Sequence, residues 1–216
     1  MPLSYMHHRI DCPPRQWQST ARTIAERAAA GPWPSGGVLF GIWRSQIGRP
    51  RDELTVLTVW PDAEVAAGAA AALGAAAGEV AGIDSELMSP TLRPSEPTPP
   101  ARQGNYAFRW FELGDSDWPE FLELCQGAWP GFEAAYDSQV IGLWRLAGAT
   151  PDRVRSLLLT RRPSLAMWER SKLPEGAAEA EVRRKLSRRY DLCDWTVVYT
   201  TTLLTATDAE DTARWA

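Results

Sequence analysis

The sequence predicts an α+β protein made of two tandem βαββαβ repeats that pack sheet to sheet as an intramolecular α+β barrel. Three observations support this prediction. The first is that Gly41-Ile42-Trp43-Arg44 recurs almost unchanged as Gly142-Leu143-Trp144-Arg145, 101 residues later. The second is that the same offset relates Tyr5 to Tyr106. The third is a one-residue slip after the repeated segment, which a hairpin loop of unequal length would produce, and internal repeats of this kind define architecture.

The first repeat is predicted from hydrophobic periodicity and turn residues. Apolar residues in 15–30 recur at helical spacing, and Pro13 and Pro14 end the preceding strand because proline cannot donate to a ladder. Asp62 is a candidate N-cap for the second helix. The predicted elements are strand 4–11, helix 15–30, strands 38–44 and 54–60, helix 62–77 and strand 83–92.

A proline-rich stretch separates the repeats. Residues 94–104 contain Pro94, Pro97, Pro99 and Pro100, which predicts a stiff linker. The expected domains are therefore 1–93 and 105–216, joined by 94–104. The second repeat is predicted as strand 106–113, a helix capped by Asp117, strands 140–146 and 154–161, a helix capped by Ser164 that breaks near 174–176, a basic helical segment 179–190 and strand 196–205.

Each βαββαβ unit is a ferredoxin-like half whose helices cover one face of its sheet. The other face needs burial, so two such sheets are expected to enclose a barrel-like space. Strand alternation assigns side chains to faces. We expect Phe108 and Trp110 to pack on the helices. The residues expected to face the central space are Met6, His8, Ile10, Ala107, Arg109 and Phe111.

The repeated strands place a glycine two residues before a tryptophan on one face. Gly41 with Trp43, and Gly142 with Trp144, are expected to face the central space, whereas the alternating residues face the helices. The helix-facing set is Phe40, Ile42, Ile141 and Leu143. Two interpretations stay open: the glycine leaves room for a ligand against an indole wall, or it admits a neighbouring side chain of a packed core.

Polar candidates are few. His7 and His8 are the only histidines, and adjacent strand residues point to opposite faces, which argues against a two-histidine metal site. His8 is a candidate general base, or a hydrogen-bonded structural histidine. Arg109 lies among aromatic residues and needs a carboxylate or an anionic ligand if it is buried. The basic runs at 161–162 and 183–189 favour a solvated helix face over a phosphate site.

Composition excludes several classes. The 216 residues carry a net charge of −4, which argues against nucleic acid as a partner. No apolar run is long enough to span a membrane. Three cysteines without metal-ligand spacing, and no apolar leader at the start, favour a reducing cytoplasm. Nucleotide, metallohydrolase and serine-hydrolase motifs are absent.

Three segments resemble the NIPSNAP-like domains of the dimeric α+β barrel superfamily. They are the aromatic strand Tyr106–Phe111 with its arginine, the strand Val140–Arg145, and Leu87–Pro90 with its Ser-Pro pair. The first repeat departs from this pattern, because His8 stands where the second has Arg109. The resemblance implies a site in the cleft of each half. The superfamily contains cofactor-independent oxygenases, isomerases, cyclases, haem enzymes and proteins with no known activity.

The resulting functional prediction is a small-molecule enzyme without a tightly bound cofactor or metal, acting on a hydrophobic, aromatic or polyketide-like substrate. In this hypothesis His8 is the base and Arg109 holds an anionic or enolate oxygen. The substrate-binding wall would consist of Gly41, Trp43, Phe111, Gly142 and Trp144. The alternative is a non-catalytic ligand-binding or interaction protein of the NIPSNAP type. A homodimer is compatible with either hypothesis.

Overall fold

The structure is a computed structural model that describes residues 3–148 and 150–208. These residues form the element order βαββαβ twice, with two helices at the second helical position of each repeat. The strands are β1 (Ser4–Asp11), β2 (Val38–Ile47), β3 (Glu53–Trp60), β4 (Gly82–Pro90), β5 (Asn105–Gly114), β6 (Gln139–Leu146), β7 (Arg153–Arg162) and β8 (Cys193–Leu203). The helices are α1 (Trp17–Ala29), α2 (Ala63–Ala66), α3 (Ala69–Ala77), α4 (Trp118–Tyr136), α5 (Leu165–Arg170) and α6 (Ala177–Asp191).

The chain divides into two compact units. Among the described residues, the first unit contains 3–90, Glu96–Gln103 and 199–208. The second contains Thr91–Ser95 and Gly104–Val198. The five residues that follow β4 thus group with the second unit, whereas most of the proline-rich stretch groups with the first, and β8 contributes residues to both.

Both units have the strand order of a ferredoxin-like βαββαβ sheet. In the first unit the order is β4-β1-β3-β2, with antiparallel pairing throughout. In the second unit the order is β8-β5-β7-β6, with antiparallel pairing of β7 to both β5 and β6. The α+β class and the two ferredoxin-like repeats predicted from the sequence are confirmed.

The internal repeat is visible in the strand register. Gly41 of β2 pairs with Leu57 of β3, and Gly142 of β6 pairs with Leu159 of β7. The glycines are 101 residues apart and their partners 102, so the predicted one-residue slip is confirmed. The register also shifts immediately before each glycine, between Leu39 and Gly41 and between Val140 and Gly142. The two repeats thus share a β-bulge at the same position.

The bulges change which residues face the helices. Leu39 and Val140 pack with the helix-facing cores, in the places predicted for Phe40 and Ile141. Phe40 instead makes an edge-to-face contact with Tyr5, at 5.5 Å between ring centroids. The prediction for Phe40 and Ile141 was wrong because the extra residue of a bulge reverses the alternation before it. The prediction for Ile42 and Leu143 is confirmed, since both belong to the helix-facing cores.

The predicted faces of β1 and β5 were also wrong. Met6 and Ile10 lie in the core that contains Trp17 and Ile24 of α1. Phe111 lies in the core of the second unit against Phe121 of α4, at 5.0 Å between ring centroids. The side of β5 that carries Ala107, Arg109 and Phe111 therefore faces the helices of its own unit. Large aromatic residues occupy both faces of β5, so their size does not reveal which face packs on helices.

Helix caps follow the sequence in two cases of three. The Asp62 carboxylate accepts a hydrogen bond from the Val65 amide at 2.8 Å. The Ser164 hydroxyl accepts one from the Met167 amide at 3.2 Å. Such caps contribute about 1 kcal/mol each. Asp117 precedes α4 without a side-chain capping bond, so its predicted role was wrong.

Candidate functional site: a cationic cavity in the second unit

A cavity lies in the second unit between the helix-facing side of its sheet and the helices α4 and α6. Its cavity volume is about 40 Å³, and it opens to solvent. Strands β5, β6 and β7 supply one wall, helices α4 and α6 the other, and the residues just after α5 the rim. The lining residues are Ala107, Arg109, Trp129, Phe132, Val140, Leu158, Thr160, Arg162, Ser171, Lys172, Arg183, Leu186, Arg189 and Tyr190.

Five of the lining residues are cationic, and none is a carboxylate. The cations are Arg109, Arg162, Lys172, Arg183 and Arg189. Strand alternation places Arg109 beside Ala107, and Arg162 beside Thr160, on the same face. On α6, Arg183, Leu186 and Arg189 recur every three residues and so share one helix face. Elements with unremarkable local sequences thereby converge on a strongly positive cavity.

Two of these guanidinium groups are almost fully buried. Arg162 is 8% exposed and Arg189 is 3% exposed. Arg162 donates from Nη1 to Thr160 Oγ1 at 3.1 Å, and Arg189 donates from Nη1 to the Cys125 thiol at 3.5 Å. The Nε atom of each has no hydrogen-bond partner among the residues that the structure describes. Burying a charge without a counterion costs several kcal/mol.

Aromatic rings offset part of that cost. The Arg162 guanidinium lies 5.0 Å from the Phe132 ring centroid, and that of Arg189 lies 4.9 Å from Phe111. Such contacts contribute about 0.5–2 kcal/mol each, which is less than the cost of burial. Burial, and then the nearby Arg109, lowers the pKa of Arg162 to about 10. Arg109 and Arg189 thus disfavour the charged form of Arg162. Burial also disfavours the charged form of Arg189, but Cys125 and Tyr190 raise the pKa of that guanidinium overall.

Tyr190 is the lining residue best suited to exchange a proton. Its ring lies 5.4 Å from the Arg109 guanidinium carbon and 5.3 Å from that of Arg189. Burial raises the pKa of the phenol, but Arg189, Arg109 and Lys172 favour the phenolate more strongly, so the pKa is lowered overall. A phenol in such a field ionises nearer to neutral pH than a free tyrosine does, and the resulting phenolate can accept a proton from a substrate.

The rest of the lining is apolar. Trp129 and Phe132 of α4 face Val140 and Leu158 of the sheet, and Leu186 of α6 completes this part. Apolar walls with a few convergent polar groups are typical of small-molecule sites. The arrangement can hold an aromatic body on one side and stabilise negative charge on the other.

Arg109 is the predicted site residue that lies on this cavity. It is partly exposed, and the described residues provide no carboxylate within ion-pair distance of it. The sequence hypothesis that a salt bridge neutralises Arg109 was therefore wrong for the part of the chain that the structure describes. Its prediction of an anionic ligand remains a proposal.

His8 lies elsewhere, in the first unit on the helix-facing side of β1. Its Nδ1 atom is 2.7 Å from Ser85 Oγ and its Nε2 atom 2.9 Å from Thr58 Oγ1. It is 0% exposed, and burial lowers its pKa to about 3. His7 points to the opposite face, as alternation predicted, with Nε2 3.1 Å from the Tyr199 hydroxyl. His8 therefore does not lie among the residues that line the cavity.

The two glycine–tryptophan pairs are packed. A Cβ atom at Gly41 would lie 2.4 Å from Cη2 of Trp43, and one at Gly142 would lie 2.3 Å from Cη2 of Trp144. Both tryptophans are completely buried. Each indole thus covers the glycine two residues before it, which leaves no room there for a ligand. Phe111 packs under Arg189 and does not line the cavity.

Sequence reasoning missed most of the cavity. Lys172 and Tyr190 were not among the candidates, and the basic runs that contain Arg162 and Arg189 were interpreted as a solvated face rather than as a phosphate site. That interpretation is correct for Arg184 and Arg188, which pair with Glu181 and Glu120, and for Lys185, which donates to the Gly127 carbonyl. The helical spacing of Arg183, Leu186 and Arg189 was the available signal.

The described residues do not suit two kinds of bound group. They contain no cluster of three histidine, cysteine or acidic side chains that could hold a metal ion. A histidine-ligated haem would need a free imidazole at the cavity. Neither histidine lines it, and both rings are hydrogen-bonded to hydroxyl groups.

None of the helices in the described part of the chain is both long enough and apolar enough to cross a membrane.

Comparison with solved structures shows the fold. A "putative monooxygenase" from Lactobacillus acidophilus aligns with a TM-score of 0.60 at 10% identity over 94% of both chains. An anthrone oxidase-like protein aligns at 0.60 and 12% identity, covering 97% of this chain and 94% of its own. A chlorite dismutase variant from Candidatus Nitrospira defluvii aligns at 0.54 and 11% identity, covering 93% and 91%. This chain has the ferredoxin-like α+β fold of those proteins. No protein-family model matches it, and neither does any curated protein sequence.

Proposed function

We propose that this chain is a small-molecule enzyme of the oxygenase type, whose substrate is hydrophobic and aromatic or polyketide-like. The observation that carries the proposal is the cavity of the second unit, where Tyr190 and Arg109 converge on an apolar wall. A polar pair beside an apolar surface is what catalysis on such a substrate requires. The names of the monooxygenase-like and anthrone oxidase-like neighbours agree with this class.

The proposed chemistry begins with proton removal. The Tyr190 phenolate accepts a proton from an acidic O–H or C–H group of the substrate, which becomes a phenolate or enolate. Arg109 holds the resulting oxyanion, and the other cations stabilise the charge on whichever partner carries it. The substrate anion is electron-rich and can then be oxidised by dioxygen. Tyr190 thus takes the role of base that the sequence hypothesis gave to His8.

Oxygen uptake with anthrone tests the proposal. Oxidation by one dioxygen would give anthraquinone and water, so an oxygen electrode and product mass spectrometry must agree. We expect turnover by the wild type and a loss of roughly 10²-fold in kcat for Tyr190→Phe, since general-base catalysis contributes about that much. Tyr136→Phe is the matched control, because that hydroxyl bonds Glu179 outside the cavity. Equal rates for Tyr190→Phe and the wild type would refute the assigned base. No uptake with anthrone or with hydroxylated naphthalenes would refute the oxygenase proposal.

A non-catalytic ligand-binding protein of the NIPSNAP type is the second candidate. It is favoured by the absence of histidine and carboxylate groups from the cavity lining, which leaves Tyr190 as the one proposed proton acceptor. Ligand binding without turnover would support it. For either candidate we propose a role in specialised metabolism. We also propose a cytoplasmic location, which is consistent with the free thiols of Cys12, Cys125 and Cys193. A homodimer is the proposed assembly.

A further inference from the structure

We infer that the ligand of the second unit's cavity is an aromatic carboxylic acid, bound as the carboxylate between Arg162 and Arg189 with its ring on Trp129 and Phe132. The inference uses the same cavity as the proposed function and specifies its substrate class. It does not depend on catalysis, since a carrier would need the same groups.

The charge distribution is the first argument. The whole chain has a net charge of −4, yet the cavity lining contributes five cations and no anion. Elsewhere in the same unit arginines are neutralised by carboxylates, for example Arg170 by Glu179 and Arg155 by Glu112. A protein that pairs its surface cations and leaves its buried ones without carboxylates holds a place for an anion from outside.

The burial of two guanidinium groups is the second argument. Arg162 and Arg189 have lost most of their hydration, and the Nε of each has no acceptor among the described residues. A planar carboxylate accepts two parallel N–H bonds from a guanidinium, the geometry that arginine recognises best. A chloride or a water molecule would satisfy fewer of these donors. An organic carboxylate would also relieve the repulsion that Arg109 and Arg189 exert on Arg162.

The apolar part of the cavity argues for an aromatic body. An inorganic anion would satisfy the guanidinium groups but leave the faces formed by Trp129, Phe132 and Leu158 in contact with water. Burying apolar surface contributes about 25 cal/mol per Å², so a ring attached to the carboxylate gains affinity that a bare anion does not. The partly exposed Arg183 and the exposed Lys172 are available at the rim for a second polar substituent.

The test is a matched pair of ligands measured by calorimetry and thermal shift at constant ionic strength. 1-Naphthoate and 1-naphthalenemethanol share the ring system and differ in charge. We expect naphthoate to bind at least about tenfold more tightly than the alcohol and to raise Tm. Inorganic phosphate at the same concentration should raise Tm less than naphthoate does. Equal affinity for the two naphthalenes, or an equal effect of phosphate, would overturn the inference.

Substitution of one buried arginine separates binding from structure. Arg162→Met keeps the apolar stem and removes a buried charge that its neighbours repel, so we expect the Tm of the free protein to stay constant or rise. Naphthoate affinity should fall at least about tenfold. Arg184→Gln is the control, because Arg184 pairs with Glu181 on the exposed side of α6, and it should leave affinity unchanged. If Arg162→Met does not fold, Arg189→Met serves the same purpose. A lower Tm with unchanged affinity would show that Arg162 is merely structural.

The outcomes distinguish this inference from the proposed function. Binding of naphthoate without oxygen uptake on any substrate would sustain the carboxylate site and refute the oxygenase. If the protein took up oxygen with an uncharged substrate and Arg162→Met did not reduce that uptake, the oxygenase proposal would be sustained and the carboxylate site refuted.

Discussion

Acid should destabilise this protein well above the pH at which carboxylates titrate, because its two histidines are buried in the neutral form. His8 is 0% exposed and hydrogen-bonded at both ring nitrogens, and burial lowers its pKa to about 3. Burial also lowers the pKa of His7 well below its ordinary value. In the unfolded chain both imidazoles return to a pKa of about 6.5. Below that pH the histidines of the unfolded chain are protonated, whereas the buried histidines of the folded chain stay neutral.

The sign and size follow from that difference. A folded-state pKa below the unfolded one means that stability is lost as pH falls from about 6.5 toward about 3. Each fully buried neutral histidine then costs about 1.4 kcal/mol per pH unit. Between pH 7.5 and 5.5, His8 alone should lower the free energy of unfolding by about 1.4 kcal/mol, and His7 adds in the same direction. The result at pH 5.5 hardly depends on the exact folded pKa, since 5.5 lies far above about 3.

Urea denaturation at pH 7.5, 6.5 and 5.5 measures this effect. His8→Gln retains an amide that can bond Ser85 and Thr58 but cannot titrate, so its pH dependence should be shallower by about 1.4 kcal/mol over the same interval. Carboxylates do not confuse the comparison: the pKa of Glu179, lowered to about 2 by Arg170, affects stability only below about pH 4.5. Identical pH dependence in the wild type and His8→Gln would refute the argument that His8 is buried neutral.

Two further predictions concern the glycine–tryptophan pairs and haem binding. Gly142→Ala should lower the free energy of unfolding by roughly 1–3 kcal/mol, because its Cβ would lie 2.3 Å from the buried Trp144 ring. The control is Gly74→Ala in α3, where the nearest atom is 3.6 Å away, and it should be neutral or stabilising in the same urea assay. A larger loss of stability for Gly74→Ala than for Gly142→Ala would contradict the packing argument. The purified protein should show no Soret band, and added haemin should not bind stoichiometrically through a histidine. A stoichiometric Soret band that is lost in His8→Ala would contradict the prediction that the protein has no tightly bound cofactor.

The fold was predictable because the repeat contains register information. Gly41 and Gly142 mark the same bulge in β2 and β6, and the one-residue slip after them reappears as the pairs Gly41–Leu57 and Gly142–Leu159. The bulge itself was not predictable, since no turn residue distinguishes it from a regular strand that contains glycine. The break between α2 and α3 at Ala67–Gly68 was missed because the surrounding alanines are compatible with one continuous helix.

The side-chain faces of β5 were not predictable for a different reason. Tyr106, Phe108, Trp110 and Phe111 are all buried, so the strand is apolar on both faces and hydrophobic alternation vanishes. The one polar residue among them, Arg109, was then assigned to a face by assuming that the neighbouring aromatics pack on helices. The structure gives the other assignment, in which Arg109 lies under α6 beside Tyr190. Arg109 thus lies on the cavity, although the sequence argument had assigned it to the other face of β5.

The cavity could not be derived from any single segment because its charge comes from three separate ones. Arg109 is on β5, Arg162 ends β7 and Arg189 is on α6, and each alone is an ordinary arginine in an ordinary element. Brought together, they act on one another: Arg109 and Arg189 help to lower the pKa of Arg162 and also that of Tyr190. The same positive charges that would bind a carboxylate would therefore also favour ionisation of the phenol, whose phenolate can accept a proton. If the carboxylate of a substrate neutralised all three arginines, it would raise the Tyr190 pKa again. Less of the phenol would then be ionised and able to act as a base. Proton removal and carboxylate binding are compatible only if the bound acid leaves Arg109 facing Tyr190, which is why the carboxylate is assigned to Arg162 and Arg189.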